Sequence, residues 1–340
     1  MGEDFEVRSY TGADAPAALE LLHEAFGEWP GRQVAAHERP EDLFRWKHER
    51  GPDGPSQIVV ADDGSRLVGM RAHMNWPLDV DGLRVDAVHA VDGAILPGRK
   101  AGQIESALTE HAVEALRGTK QLAFGLDGDP GWQPVGQLRP WVRVRRLVRV
   151  TRRLRQLGSA GRSLVVPSLE APLAGSALLD ADADAVVELL HQPRLSGPHL
   201  ATRTGVEYLR WRYEPLLADY RAVAEYQGDS MTGLAIFGLR QRAELWEGSI
   251  CELLVRPGDR RTASRLVRQI VRAAPFDYLA AAPAAGTGLE GVLSRAGFVP
   301  SPAAGPALGV TLYSDAVRPD PLQRASWSFS FGDLERLQLC

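Results

Sequence analysis

The sequence predicts an α/β (α+β) protein of two similar domains in tandem, each a mixed sheet flanked by helices. Three observations predict it. Short β-rich runs bounded by Asp-Gly and Gly turn signals alternate with amphipathic helical segments. A strand–turn–helix junction over Ala87–Leu116 recurs over Ile250–Val271, a spacing of roughly 160 residues that indicates duplicated domains rather than a solenoid. From Thr151 to about Leu179 the composition shifts to Arg, Ser, Gly, Pro and Ala with weak periodicity, the mark of an interdomain connection. The expected boundaries are residues 1–152 for an N-terminal domain, 153–176 for a linker and 177–340 for a C-terminal copy.

Taken in order, Val7–Tyr10 reads as a short strand, and Thr11 and Asp14 offer cap oxygens to a helix with Ala18, Leu21, Leu22, Ala25 and Phe26 on one face. A polar stretch, Gly27–Gln57, carries Phe44 and Trp46. Gln57–Ala61 and Arg66–Met74 form a hairpin across Asp62-Asp63-Gly64-Ser65. Leu78–Val85, with its own Asp81-Gly82 turn, and Ala87–Leu96 extend this meander. Beyond Pro97–Gly102, the residues Ile104, Ala107, Leu108, Ala112, Val113 and Leu116 recur at helical spacing. Gln121–Gly125 reads as a strand, Asp127–Pro140 as a loop and Trp141–Val150 as another strand. In the second half Leu178–Leu190 supplies a strand and a helix, Glu207–Tyr213 a helix, Ala222–Tyr226 and Gly233–Leu239 a hairpin, and Ile250–Val255 a strand leading into a helix.

With 340 residues, 44% of them hydrophobic, the chain can bury a substantial core. A charged fraction of 24% and a formal net charge of −4 give no global attraction to nucleic acid or anionic membrane. Cys251 and Cys340 make neither a disulfide framework nor a metal-ligand spacing, so no metal is expected. No run of about 18 apolar residues occurs, and Met1–Tyr10 lacks an apolar signal region, so a cytoplasmic chain without membrane insertion is expected. Basic charge is carried almost wholly by arginine, which singles out the lysines Lys47, Lys100 and Lys120 for inspection.

Four stretches have a family character: Asp42-Leu43-Phe44-Arg45-Trp46-Lys47-His48, Val91-Asp92-Gly93-Ala94-Ile95-Leu96-Pro97, Tyr208-Leu209-Arg210-Trp211-Arg212-Tyr213 and Trp327-Ser328-Phe329-Ser330-Phe331-Gly332-Asp333. Together they resemble the GNAT acetyltransferase superfamily, and the chain resembles its two-domain bacterial members, several of which modify amines of saccharides and secondary metabolites. The resemblance implies two GNAT-like domains in tandem, with acetyl-CoA or another acyl-CoA as co-substrate of the N-terminal one and the degenerate C-terminal copy on the acceptor side, helping to enclose the amine. In that family the fourth strand, here with Gly93, Ala94 and Ile95, and the turn after it bind CoA, the helix N-terminus facing the pyrophosphate. Aligned from Pro97, the turn is Lys100-Ala101-Gly102-Gln103-Ile104-Glu105; a frame starting at Arg99 fits nearly as well. Lys100 replaces the usual Arg or Gln, while Glu105 puts a carboxylate where the family has a small residue, unfavourable unless it points away. An ordinary strand–turn–helix junction is the alternative. The second turn, Pro257–Ala263, reads as a copy that lost the cofactor.

Acyl transfer to an amine needs a neutral amine, a donor for the oxyanion and a proton for the leaving thiolate. The resemblance implies direct attack by the amine, so neither Cys251 nor a serine is read as a nucleophile. Asp92, five residues before Pro97 where the family often carries an acid, is the first candidate base, against a plain structural hydrogen-bonding role. His89 and His73 are further catalytic candidates; the offset of three puts His89 and Asp92 on opposite faces unless a bulge intervenes. The family's acid tyrosine is missing from Gly125–Trp141, where Trp132 stands in its place as a cofactor-side residue that cannot act as an acid. That leaves water, His191 or His199. The run Arg143, Arg145, Arg146, Arg149, Arg152, Arg153 and Arg155 is either a solvated edge or an anion clamp, and lacks the aromatics that nucleic acid would require. Trp29, Trp46, Trp76, Trp132, Trp211 and Trp246 are core residues or a ligand wall.

The expected function is acyl-CoA-dependent transfer of an acetyl or longer acyl group to a primary amine of an amino sugar or specialised metabolite, by a monomer or homodimer. Two other classes stand beside it: a non-catalytic GNAT-like module that binds CoA or a metabolite, and Fem-like aminoacyl transfer, for which a long helical arm would be the sign.

Overall fold

The computed structural model of the chain describes residues 5–27, 29, 39–98, 100–126, 132–138, 140–144, 173–192, 195–214, 219–242, 245–273, 276–282, 284–301 and 305–334. In the first half the elements are β1 (Glu6–Ser9), α1 (Ala15–Phe26), α2 (Pro40–His48), β2 (Gln57–Asp62), β3 (Leu67–Asn75), β4 (Leu78–Val80), β5 (Leu83–Val85), β6 (Ala87–Ile95), α3 (Ala101–Leu116), β7 (Leu122–Leu126), β8 (Gln133–Gln137) and β9 (Trp141–Val144). The second half adds β10 (Leu173–Ala174), α4 (Gly175–Ala181), α5 (Ala183–Leu190), β11 (Leu200–Thr202), α6 (Val206–Arg212), β12 (Asp219–Gln227), β13 (Ser230–Arg242), β14 (Leu245–Val255), α7 (Arg260–Ala273), β15 (Tyr278–Ala281), α8 (Glu290–Arg295), β16 (Val299–Pro300), β17 (Ala307–Leu312), β18 (Trp327–Ser328) and α9 (Phe331–Leu334).

Two seven-stranded sheets share one plan, β1-β2-β3-β6-β7-β17-β8 and β10-β12-β13-β14-β15-β9-β16. In each, one parallel pair, β6–β7 or β14–β15, interrupts otherwise antiparallel neighbours. The sixth strand of each sheet comes from the other half: β17 lies between β7 and β8, and β9 between β15 and β16. A four-stranded sheet, β18-β11-β4-β5, joins the halves, so the Leu78–Val85 hairpin leaves the expected meander. One apolar core runs through both halves and takes in Trp46, Trp76, Phe124, Trp211 and Trp327.

Other expectations shift locally. The polar stretch Gly27–Gln57 contains α2, which starts with Pro40, Glu41 and Asp42 and ends with Arg45, Lys47 and His48, a charge order matched to the helix dipole. Its Leu43, Phe44 and Trp46 are buried, which outweighs its low mean hydropathy. Leu178–Leu190 is helical, α4 and α5 separated at Asp182, and the strand precedes it. The loop Asp127–Pro140 contains β8. Of the arginine run, Arg143 lies in β9; Arg145, Arg146, Arg149, Arg152, Arg153 and Arg155, and linker residues 153–172, fall outside the described residues.

The duplication is visible in side-chain detail. A Cβ on Gly69 would lie 2.7 Å from Ile104 Cγ2, and one on Gly233 would lie 2.7 Å from Thr262 Cγ2. Both halves thus use a glycine to let the helix after the bulged strand press onto the sheet. At the junction Trp46 and Trp211 stack with centroids 4.8 Å apart, and each indole donates to the other residue's carbonyl, at 2.8 and 3.0 Å.

Candidate functional site

The first sheet opens at its centre. β6 and β7 pair only over Ala87–His89 with Leu122–Phe124, so the β7-facing edge of β6 from Ala90 to Ile95 has no ladder partner in β7. At the opening, Met70 pairs with Ala94 and Ala72 with Val91, leaving Asp92 and Gly93 together opposite Arg71 as a bulge. Asp92 has φ 48°, a left-handed conformation that Asp tolerates better than most side chains.

The bulge resolves the face question. His89 stacks on Phe124, centroids 4.7 Å apart and 5° from parallel, and Val91 belongs to the same core. Asp92, which strict alternation would send across the sheet, stays on that side and meets α2. Its Oδ2 lies 2.7 Å from Lys47 Nζ and 3.0 Å from His48 Nε2, and Trp29 Nε1 approaches Oδ1 at 3.5 Å. Neither the Asp92 nor the Lys47 side chain has any exposed surface. His48 Nδ1 is 3.1 Å from Oγ of the half-buried Ser56.

Burial pushes the Asp92 carboxyl up, but Lys47 and the His48 hydrogen bond outweigh it and hold the group well below the usual carboxylate range. Burial lowers His48 against the pull of Asp92, so the imidazole is neutral. With an ionised acceptor on one side, the consistent tautomer carries its proton on Nε2 and accepts the Ser56 hydroxyl at Nδ1. His89 is pulled down to about 3 by burial and then Lys47, and its buried Nδ1 has no hydrogen-bond partner. His73, pulled down to about 4 by burial and then Arg71, projects from the opposite face of β3.

Of the three expected catalytic residues, Asp92 and His89 therefore share one side of the sheet and His73 does not. Lys47 is marked in the sequence only as one of three lysines and His48 only as the end of the family-like stretch Asp42–His48, while no sequence signal marks Ser56. His191 is exposed at the end of α5, and His199 Nδ1 lies 3.0 Å from the Gly197 carbonyl oxygen; neither contacts Asp92.

The turn after β6 has Gly98, Gly102 and Gln103 exposed, and α3 begins without a side-chain cap or an acid in its first turn. Ala101, Gln103 and Ile104 donate their amides to the Gly98 and Lys100 carbonyls, leaving the helix dipole and the Lys100 charge as the attraction for an anion. Glu105 leans towards the sheet, 4.0 Å from Arg71. The second half differs: Asp259 Oδ1 accepts the Thr262 amide at 3.0 Å, so a carboxylate of the chain already holds the N-terminus of α7. Trp132 packs over β7 and β17, where a Cβ on Gly125 or Gly309 would lie 3.1 or 3.3 Å from the indole.

In register with the tryptophan pair, Lys47 and His48 correspond to Arg212 and Tyr213, 165 residues on. Tyr213 Oη donates to Glu252 Oε1 at 2.7 Å, echoing His48 and Asp92. Among the described residues no group of three metal-ligating side chains gathers, and no helix is long and apolar enough to cross a membrane.

Such a pair of bulged, centrally split sheets is the tandem GNAT-type fold. Solved structures share this fold. Saccharomyces cerevisiae N-myristoyltransferase, crystallised with myristoyl-CoA and inhibitors, is similar at TM-score 0.60 and 16% identity over 91% of this chain and 80% of that one. Eis1 from Mycobacterium abscessus is similar at TM-score 0.53 and 14% identity over 91% and 74%. A conserved Enterococcus faecalis V583 protein of unknown function is similar at TM-score 0.59 and 10% identity over 91% and 73%. No protein-family model and no curated protein matches the sequence.

Proposed function

We propose that the chain is an acyl-CoA-dependent N-acyltransferase, moving an acetyl or longer acyl group to a primary amine of an amino sugar or specialised metabolite. The observation that carries this is a conjunction in the first lobe: a bulged strand diverges from its parallel neighbour and leads into a helix N-terminus free of acid. Gly93, Ala94 and Ile95 lie on the stretch of β6 that has parted from β7 and suit the thioester end, with Lys100 and the first turn of α3, Ala101–Ile104, at the phosphate end and Glu105 turned aside. The likeness of the whole fold to N-myristoyltransferase and Eis1 supports the reading.

When bound, the acyl-CoA supplies the activated carbonyl; the amine nitrogen bonds to it, the carbon–sulfur bond breaks, and CoA leaves as the thiolate and takes its proton from water. In this reading Asp92 is a positioning residue. Its oxygens face Lys47, His48 and Trp29 in a sealed setting, so it anchors the bulge and orients His48 rather than meeting the amine. His48 Nδ1, through the Ser56 hydroxyl, is the route by which the attacking amine loses its proton, and His89 is the second acceptor on this side. His73, across the sheet, stands outside it.

One observation favours the binding-module reading: Trp132 packs where an acid tyrosine is expected. The Fem-like reading gains nothing from the helices, the longest described being α3 with 16 residues. Thermal unfolding with acetyl-CoA, a long-chain acyl-CoA and free CoA separates these. A hundredfold excess over Kd adds about 2.7 kcal/mol of stability, and no response to any of the three would overturn the proposal. A response without release of CoA thiol across a panel of amino sugars and other amines would leave the binding module.

A further inference from the structure

The second sheet also opens at its centre. β14 and β15 pair over Glu247–Ile250 with Tyr278–Ala281 and then diverge, and a register shift opposite Ile236 and Phe237 makes Cys251 a bulge. Between the diverging strands lies an open cleft with about 770 Å³ of empty space, counted together with the solvent at its mouth. Ile250, Leu254, Leu289 and Leu293 contribute apolar walls, and Thr202, Glu252, Ser330 and Asp333 a polar end.

The polar end has one sign. No lysine, arginine or histidine lines the cleft among the described residues, whereas two carboxylates do. Asp333 is 8% exposed, and its hydrogen-bond partners are neutral donors. Oδ1 accepts from the Thr202 hydroxyl at 2.7 Å and the Tyr208 hydroxyl at 3.2 Å, and Oδ2 from the Ser330 amide at 2.7 Å. The Thr202 proton is directed there because Trp76 Nε1, which can only donate, occupies the same hydroxyl oxygen at 3.0 Å. Burial, outweighing these donors, raises the Asp333 pKa. Arg212, buried behind this wall, donates to the Gly332 carbonyl at 2.8 Å and the Tyr220 hydroxyl at 3.3 Å.

A buried carboxylate held by neutral donors at the end of an apolar cleft is stabilised by a cation brought in from solvent. A phosphate-bearing ligand is disfavoured by the same carboxylates and by Asp259 at the start of α7. We propose that the β14–β15 cleft binds an organic ammonium with an apolar body, its positive head against Asp333 and its body along the leucine walls. The site is separate from the first-lobe bulge: a chain of contacts runs from Asp333 through Thr202 and Trp76 to the His89 ring, the two rings 5.4 Å apart.

The test is isothermal titration of the whole chain at neutral pH, without acyl-CoA, so that its failure and failure of the acyltransferase reading are independent. The probes are n-octylamine, octan-1-ol and octanoate. Saturable one-to-one binding of octylamine is expected, with octanol at least about tenfold weaker and octanoate without measurable affinity. Asp333→Asn should weaken octylamine by at least about tenfold while changing octanol little. Ala282→Phe, which narrows the cleft, should weaken both neutral and cationic probes. Octylamine that does not saturate, that binds no tighter than octanol or octanoate, or that binds Asp333→Asn and Ala282→Phe as it binds the parent would overturn the proposal.

Discussion

Replacing Lys47 by methionine removes one half of an ion pair whose two side chains are both at 0% exposure and whose atoms lie 2.7 Å apart. At that distance and an effective dielectric of about 20, the gross attraction is about 6 kcal/mol, largely offset by desolvation of both ions. What methionine leaves is a buried Asp92 carboxylate with only His48 and Trp29 for company, and a buried charge stripped of its partner costs about 3–5 kcal/mol. Asp92→Asn alone reverses the imbalance, and asparagine also tolerates φ 48°, so its cost is electrostatic rather than conformational. Joining the two substitutions removes both charges at nearly constant volume, and the double variant should be more stable than either single one. Urea unfolding of the four proteins at pH 7 closes the cycle. A Lys47→Met cost under about 1 kcal/mol, or a double variant no better than the singles, would refute a sealed, mutually dependent pair.

Below neutrality the buried histidines govern stability. His73 and His89 are held at about 4 and about 3, and His48 is lowered too, so their contribution is whole above the unfolded pKa of about 6.5 and is lost as pH falls towards the folded values. Unfolding free energy should fall below pH 6.5 by up to roughly 1.4 kcal/mol per pH unit for each histidine, and His89→Leu should flatten that slope by about one proton. Gly69→Ala and Gly233→Ala each set a Cβ 2.7 Å from a side-chain methyl of the helix above, and should each cost about 1–3 kcal/mol in thermal unfolding. Gly102→Asp places an acid in the first turn of α3 and should raise the Kd for acetyl-CoA by about fivefold or more in titration calorimetry, with little change in stability.

The strand–turn–helix junctions were legible because each rests on local signals: a β-rich run, a glycine turn and 3.6-residue periodicity, seen in Val91–Leu116 and again in Ile250–Val271. What local signals cannot carry is partnership. Nothing in Trp141–Val144 or Ala307–Leu312 says that each strand completes the other half's sheet, since alternation specifies a face and not a neighbour. The site divides the same way. Asp92 could be picked out from its distance to Pro97, but its shared side with His89 depends on a bulge that period-two reasoning leaves open. Lys47 and His48 sit on a helix hidden in a polar stretch, whose burial comes from tertiary contacts with Trp211 and β6.

The exchange of β9 and β17 makes the halves mutually dependent. β17 pairs with β7 through five residues, Leu308–Leu312, and with β8 through Ala307–Val310, so it is the only link between those two strands in the sheet order. A first-half fragment ending at residue 172 would lack β17, leaving β8 detached and the inner edge of β7 unpaired. The second half alone would lack β9 and lose β16 from its sheet, and would expose its face of the Trp46–Trp211 stack. Each fragment should therefore be aggregated or molten by near-ultraviolet circular dichroism and hydrogen exchange, and co-expression should restore a heterodimer with the unfolding transition of the whole chain. A first-half fragment that folds cooperatively by itself would mean that β17 is an accessory to its sheet, and that the boundary between the lobes follows the chain and not the strands.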